Sequence, residues 1–440
     1  MRKLALFRRV FLASRWLRER LTPAGLALAG LAAFAAAFGI DTQSNLAHGL
    51  FVIGASLLAV DAVGASWLRR RTPPLLARRQ LPAFVTAGEA TRYRLELRNA
   101  GARRLRSARL VERLHQPWPL AAALQSANDA GNGFDRRVGY PAFMELLRRL
   151  RAIEIDPVAL PALLPGQGRE IDVAARPVAR GVAVFDALYL ALSGPLGLVE
   201  LRVPVRVAAD SLAVLPARLA VDLPPAGSQR HLQPGGISLA QHVGDAEEFR
   251  SLRDYRPGDP LRAIHWRSFA RTGRPVVREY QEEYFSRHAL VLDTAAPLAS
   301  DAAFEAAVSM AAWLVAQPRD ADSLLDLMFV GDRVHRLTAG RGLGGADGLL
   351  RVLAGVVPTP AESIAPLLAS LERHAAQVAS VVALFLSWDE SRRQAVRRLM
   401  ARGLRPTVLL VGEMNLADAG DAGEFAGILR HIAPPDDDAP

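Results

Sequence analysis

The sequence predicts a multidomain chain: an N-terminal transmembrane helical hairpin, a β-sandwich-like domain and a doubly wound α/β domain. Three observations carry this expectation. Two long apolar runs lie near the start, period-2 alternation recurs through the middle, and strand-like and helical runs alternate from residue 288 onward. The 440 residues include no cysteine, which excludes disulfides, thiolate-bound metals, iron–sulfur clusters and thiol nucleophiles. Lys3 is the one lysine, so a phosphate-gripping Walker loop and Schiff-base chemistry are excluded as well.

The formal net charge of +10 is unevenly placed: residues 1–79 carry +9 and residues 80–440 carry +1. Residues 1–20 read as a basic amphipathic helix with Leu6, Phe7, Val10, Phe11 and Leu17 between arginines, suited to lying along anionic lipid rather than binding a partner. The uncharged run 21–40 spans a hydrocarbon core of about 30 Å at about 1.5 Å per residue. The second run, 46–68, is the weaker candidate because Asp61 interrupts it and must find water or a partner. One reading ends that span near Val60, with Asp61 at the interface. Seven Lys/Arg precede the hairpin (21–68), five follow it and none lies in its connector, so the positive-inside rule predicts a multi-pass inner-membrane protein with both termini cytoplasmic. A second span so close behind the first argues against a cleaved signal peptide.

Residues 80–220 read as the β domain. Alternation over 92–98 is followed by candidate strands 105–114, 169–175, 182–190 and 198–207, with turns at Pro165-Gly166 and Gly194-Pro195-Leu196-Gly197. Residues 115–160 break the pattern, and helical spacing over 142–153 predicts a helical insertion. The apolar stripes here are core, and no chemistry is visible among them.

Composition changes sharply over 240–285. Between residues 244 and 285, eight arginines face eight carboxylates. A nucleic-acid surface would be unbalanced toward arginine, so the balance predicts internal Arg–carboxylate pairing, with Tyr255, Trp266 and Phe269 as rings for guanidinium groups to stack on. Asp259 is positioned to cap a helix beginning at Pro260. Two uses compete for the block: a polar clamp packing the β domain against the C-terminal domain, or a docking or anion-binding surface using Arg253, Arg262, Arg267 and Arg271. A hydrolase built on Asp254, Asp259 and His265 is the enzymatic alternative, although no positioned nucleophile accompanies it.

This block resembles the signature of domain-of-unknown-function family 58 (DUF58). The residues that carry the likeness are Glu248, Phe249, Leu252, Arg253, Tyr255, Gly258, Asp259, Arg262, Ile264, Trp266, Ala270, Arg271, Arg278 and Glu279. His265 departs from it, standing where the family usually has Asp, and Arg267 lies beside the matched positions. Upstream, Arg180-Gly181 and the 194–198 stretch are similar to a second family motif.

From 286 to 432 the pattern predicts strands at 288–293, 324–330, 333–338, 379–386 and 406–411. Helices are expected at 302–316, 346–356, 364–377, 390–402 and 424–431. The alternation describes a doubly wound domain whose ligand site sits at the C-terminal strand ends, where Asp293 falls. The resemblance implies that this domain is von Willebrand factor type A-like. Such domains often hold Mg²⁺ through D-x-S-x-S, but here Asp293 is followed by Ala295 and Pro297 in place of both serines. Asp293, Thr338 and Asp389 are at most remnants of a degenerate metal site, and no metal or other cofactor is expected. Gly340 to Gly345 matches G-x-G-x-x-G formally but lies after a hairpin, so it reads as loop. The tail 433–440 reads as disordered.

The resemblance implies a membrane-anchored, cytoplasm-facing scaffold or adaptor without enzymatic activity. Its implied partner is a MoxR-type AAA+ ATPase, engaged through the type A-like domain and the arginine-rich block. No nucleic-acid partner is expected, and a nucleic-acid or anion-binding module is the weaker of the alternatives.

Overall fold

The computed structural model describes every residue except 1, 39–44, 131–137, 224–247, 258, 260, 262–263, 282–285, 296–301, 319–322, 341–343, 361–363, 413–422 and 434–440. Gly258, Arg262, the hairpin connector, most of the glycine-rich loop and the C-terminal tail therefore lie outside the described residues.

Three helices open the chain: α1 (Arg2–Arg20), α2 (Pro23–Phe38) and α3 (Asn45–Arg71). On α1, Phe7 and Phe11 are one turn apart and share a face. That face is buried within the protein, against Leu124, Phe143, Leu146 and Leu147, with Phe11 edge-on to Trp118. The expectation that all of this helix's apolar residues meet lipid is thus corrected: Leu6, Val10 and Leu17 stay exposed, while the two phenylalanines dock onto the helical insertion. Helices α2 and α3 pack as a hairpin, with Ala32 against Gly54 at the contact.

Among the described residues, α3 is the helix long and apolar enough to cross a membrane, over Ala47–Arg71, and α2 is a shorter apolar helix of 16 residues. This reverses the ranking drawn from the sequence. The first apolar helix starts at Pro23 rather than at residue 21, because Leu21 pairs with Val199 of the β domain, and α3 does not end near Val60 but runs through Asp61 to Arg71.

The β domain has ten strands: β1 (Leu75–Gln80), β2 (Val85–Thr86), β3 (Thr91–Asn99), β4 (Ala108–Leu114), β5 (Ile153–Ile155), β6 (Val158–Leu160), β7 (Gly168–Pro177), β8 (Gly181–Ser193), β9 (Glu200–Val205) and β10 (Asp210–Leu215). They form two sheets, β1-β3-β7-β5 and β2-β10-β8-β4-β6, with β9 paired to β8. The alternation of β3 sends Tyr93, Leu95 and Leu97 into the core, where they meet Leu110, Phe185, Leu188, Leu212 and Val214 from the other sheet. Arg79 is buried here and pairs bidentately with Glu112 at 2.9–3.0 Å, while the Tyr93 hydroxyl donates to the same carboxylate. Burial and the Glu112 charge push the Tyr93 pKa strongly upward. The insertion holds α4 (Ala121–Ala130) and α5 (Tyr140–Arg149). The helix expected over 142–153 stops at Arg149, because Ile153 and Ile155 are taken into β5 against Pro177 and Ala175.

Next comes a hairpin of β11 (Glu248–Asp254) and β12 (Val276–Gln281) with α6 (Trp266–Thr272) between them. Pro260, where a helix capped by Asp259 is expected, lies outside the described residues; the described helix between the strands starts at Trp266.

The last domain is built on β13 (Ser286–Leu292), α7 (Ala302–Ala316), β14 (Ser323–Val330), β15 (Val334–Ala339), α8 (Ala346–Gly355), α9 (Ile364–His374), β16 (Ser380–Phe385), α10 (Glu390–Ala401), β17 (Thr407–Val411) and β18 (Leu429–Ile432). The sheet order is β15-β14-β13-β16-β17-β18, parallel except for the edge strand β15. Helices α7 and α8 cover one face and α9 and α10 the other, giving a hydrophobic core on each side. The helix expected over 424–431 is instead a turn followed by β18. The open edge of β17 needs hydrogen-bond partners, and Leu429–Ile432 supplies them in parallel register. Leu215, Leu219 and Val221 carry the β domain into the core beneath α7 and α8.

Candidate functional site

Among the described residues the charged block holds an ion pair between Arg253 and Asp259. Arg253, at the end of β11, donates from both terminal nitrogens to the two Asp259 oxygens at 2.7 Å, and the Arg256 backbone N–H adds a third donor at 2.8 Å. These donors hold the Asp259 carboxyl down at about 2, the Arg253 bond being the largest cause. Ile264 and Val277 are buried beneath the turn and form a bridge, and His265 Nδ1 lies 2.6 Å from Ser268 Oγ. The outer surface shows Leu252, Leu261, Trp266 and Phe269, with Arg267 and Arg271 exposed beside them and Tyr255 half-buried. Trp266 and Phe269 stack edge-on at 6.0 Å. Glu248, Phe249, Arg278 and Glu279 lie on the paired strands β11 and β12.

Among the described residues no bond joins Asp254, Asp259 and His265. Asp259 is taken by Arg253, and His265 faces Ser268. Among the described residues this ion pair is internal to the block, and a guanidinium from outside the block joins the β domain to the α/β domain. Arg180, just before β8, donates to the carbonyls of Leu353 at 3.2 Å and Val356 at 2.5 Å and pairs with Glu305 on α7. It thereby adds a charged donor to carbonyls at the C-terminus of α8, where Leu353 O also accepts the Val356 N–H. Burial pulls the Arg180 pKa down against the support of Glu305.

At the C-terminal end of the parallel strands, Asp293 is fully buried. Its Oδ1 accepts from Ala295 N at 2.9 Å, and its Oδ2 accepts from Leu386 N at 3.1 Å and from Arg392 Nε and Nη2 at 2.9 and 2.5 Å. Asp389 caps α10 by accepting from Arg392 N at 3.0 Å, and its other oxygen takes Arg392 Nη1. One guanidinium therefore bridges both carboxylates, over the Phe385 ring. Burial raises the Asp293 pKa, while the Arg392 charge and the two backbone donors oppose the rise.

Thr338 is not part of this cluster; its hydroxyl donates to Asp326 at 2.6 Å within the β14–β15 hairpin. The threonines beside Asp293 are Thr294 and Thr359, whose hydroxyls lie 3.0 Å apart. A six-coordinate Mg²⁺ needs free hard oxygens. Both Asp293 oxygens are occupied by N–H donors, and a cationic side chain stands between the carboxylates. Among the described residues these strand ends do not fit a metal, and no group of three His, Cys, Asp or Glu gathers elsewhere among them.

A third arrangement lies in the membrane-type helix. Asp61, midway along α3, is fully buried, and its carboxylate accepts from the backbone N–H groups of Leu196 at 2.6 Å and of Leu198 and Val199 at 2.7 Å. The turn comes close enough because residue 194 is glycine: a Cβ there would collide with the Asp61 carboxylate. The sequence signalled a partner for Asp61 without naming one. Nothing in it marked Arg392, whose role depends on β13 and α10 meeting in space.

Residues 251–418 match the family described as protein of unknown function DUF58. The match supports the family named from the signature and covers most of the charged block, from residue 251, and most of the α/β domain. No curated protein matches the chain. Solved structures with local similarity include a manganese-loaded TRAP protein from Plasmodium vivax, at 14% identity over 34% of this chain and 68% of that one, TM-score 0.27. Another is proximal thread matrix protein 1 from the mussel byssus, at 12% identity over 34% of this chain and 41% of that one, TM-score 0.27. The CARDB domain of a Pyrococcus furiosus protein matches at 13% identity over 32% of this chain and 94% of its own length, TM-score 0.18. At these TM-scores the likenesses carry no argument.

Proposed function

We propose that this DUF58-matching chain is a membrane-anchored, cytoplasm-facing scaffold, working with a MoxR-type AAA+ ATPase rather than catalysing a reaction. The observation that carries the reading is mechanical continuity. A span-long apolar helix is bonded through Asp61 to the β-sandwich. The β-sandwich is in turn clamped to the α/β domain through Arg180. Both joints are made at the ends of β8, so one 13-residue strand connects them. We take α2 and α3 as a two-pass hairpin with both termini cytoplasmic, on the charge asymmetry of its flanks. We read the α/β domain as von Willebrand factor type A-like on its strand order and on Asp293 at the strand ends. The arginine that fills those ends favours contact through surface side chains over metal-mediated binding. The exposed Trp266 and Phe269, framed by Arg267 and Arg271, form the docking face.

Pull-down of the full chain from membranes together with that ATPase tests the proposal. Co-purification that weakens on Trp266→Ala or Arg253→Ala supports it. No co-purification by the unaltered chain sinks the adaptor reading.

A further inference from the structure

We propose that the 194–199 turn of the β-sandwich is itself a membrane-embedded element: it sinks into the bilayer beside α3 and carries Leu196 as its lipid-facing tip. This rests on the membrane reading above and adds where the soluble body meets the lipid.

The exposed apolar face of α3 does not stop at Asp61. Val63 is 70% exposed and Trp67 51% exposed, both on the Arg71 side of it. From Ala47 to Trp67 the helix is about 31 Å long, close to a hydrocarbon core of about 30 Å. Trp67 stacks against the Arg71 guanidinium at 3.8 Å, the amphipathic pairing suited to the headgroup boundary. Asp61 then lies about 9 Å deeper than Trp67, inside the apolar span.

A carboxylate at that depth is costly unless every lone pair finds a donor. The turn supplies three N–H groups, so the turn must lie at the depth of Asp61. Irregular backbone there is costly for each N–H group left without an acceptor. From 194 to 199 every backbone N–H is paired: Gly194 with Val199 O, Gly197 with Gly194 O, and Leu196, Leu198 and Val199 with Asp61, while Pro195 has none. The Thr22 hydroxyl donates to Gly197 O at 2.7 Å and to Leu198 O at 3.2 Å. Helix α2 begins directly after that contact, at Pro23. Leu196, 50% exposed at the tip, then faces lipid.

The natural chain has no cysteine, so one introduced cysteine is its sole thiol. Full-length protein carrying Leu196→Cys, Ile53→Cys or Val357→Cys is spin-labelled and reconstituted into phosphatidylcholine–phosphatidylglycerol vesicles. Accessibility to oxygen is compared with accessibility to a water-soluble nickel chelate. Ile53 on α3 is the lipid reference and Val357 on the α/β domain the water reference, at 60% and 62% exposure. The expected oxygen-to-nickel ratio at 196 exceeds that at 357 by about tenfold and approaches that at 53. A lipid-like ratio at 53 with a water-like ratio at 196 overturns the embedded turn and leaves the anchor standing. A water-like ratio at 53 overturns the membrane reading and this inference with it.

Discussion

Replacing Arg392 by methionine removes the guanidinium between Asp293 and Asp389 while keeping an unbranched stem to pack on Phe385. Both side chains of the Asp293–Arg392 pair are almost wholly buried. After the change Asp293 keeps only the Ala295 and Leu386 backbone donors. Breaking a buried pair from one side costs about 3–5 kcal/mol, because the remaining charge is stranded in a low dielectric. Adding Asp293→Asn removes that charge, so the double variant recovers about 2 kcal/mol of the loss. Hydrogen exchange on the full chain in detergent reads this locally, through peptides covering β13 and β16. Protection there falls by roughly two to three and a half orders of magnitude in Arg392→Met and is partly restored in the double variant. Unchanged protection in Arg392→Met refutes the buried-pair reasoning. Protection that rises with Mg²⁺ in the unaltered chain, and no longer does so in Asp293→Ala, refutes the argument that the guanidinium leaves no room for a metal.

Asp259 has a depressed pKa of about 2, so its contribution to holding the turn is complete above its unfolded value near 3.8 and is lost as pH falls through about 2. A carboxyl-carbon NMR titration follows it directly, and Arg253→Ala returns the midpoint toward that of an ordinary aspartate. Arg180→Ala takes its donor from the Val356 carbonyl, leaves the Leu353 carbonyl only the Val356 N–H, and costs about 1–3 kcal/mol. Faster proteolysis between the β and α/β domains reads the loosened joint, and unaltered cleavage removes Arg180 as the clamp. Asp61→Asn turns one acceptor into a donor facing backbone donors, at about 1–3 kcal/mol for each stranded N–H. Amide exchange at residues 196, 198 and 199 accelerates while α3 stays helical by circular dichroism.

Features set by a single element's own side chains were legible in the sequence. Period-2 alternation over 92–98 marks β3, and apolar spacing over 302–316 marks α7 from Ala302 to Ala316. Both depend on one element's side chains facing one core. The charge run around Arg253 and Asp259 announced pairing because the partners are only six residues apart.

Where local pattern and tertiary demand disagreed, tertiary demand prevailed. The tail end of the α/β domain has helical spacing, yet Leu429–Ile432 became a strand because β17 had an open edge. Thr338 looked like a metal-site threonine, but hairpin register set it against Asp326 and left Thr359 beside Thr294. Arg392 and Asp293 are 99 residues apart and Asp61 and Leu198 are 137 apart. The composition established that a cysteine-free chain, with its charge gathered at one end, carries a membrane-type apolar segment. Only the folded arrangement decided that a carboxylate in that segment is satisfied by a β-turn, and that an arginine occupies the strand ends between Asp293 and Asp389. Charge and hydropathy belong to residues one at a time, whereas a buried polar group's partner is fixed by which segments meet.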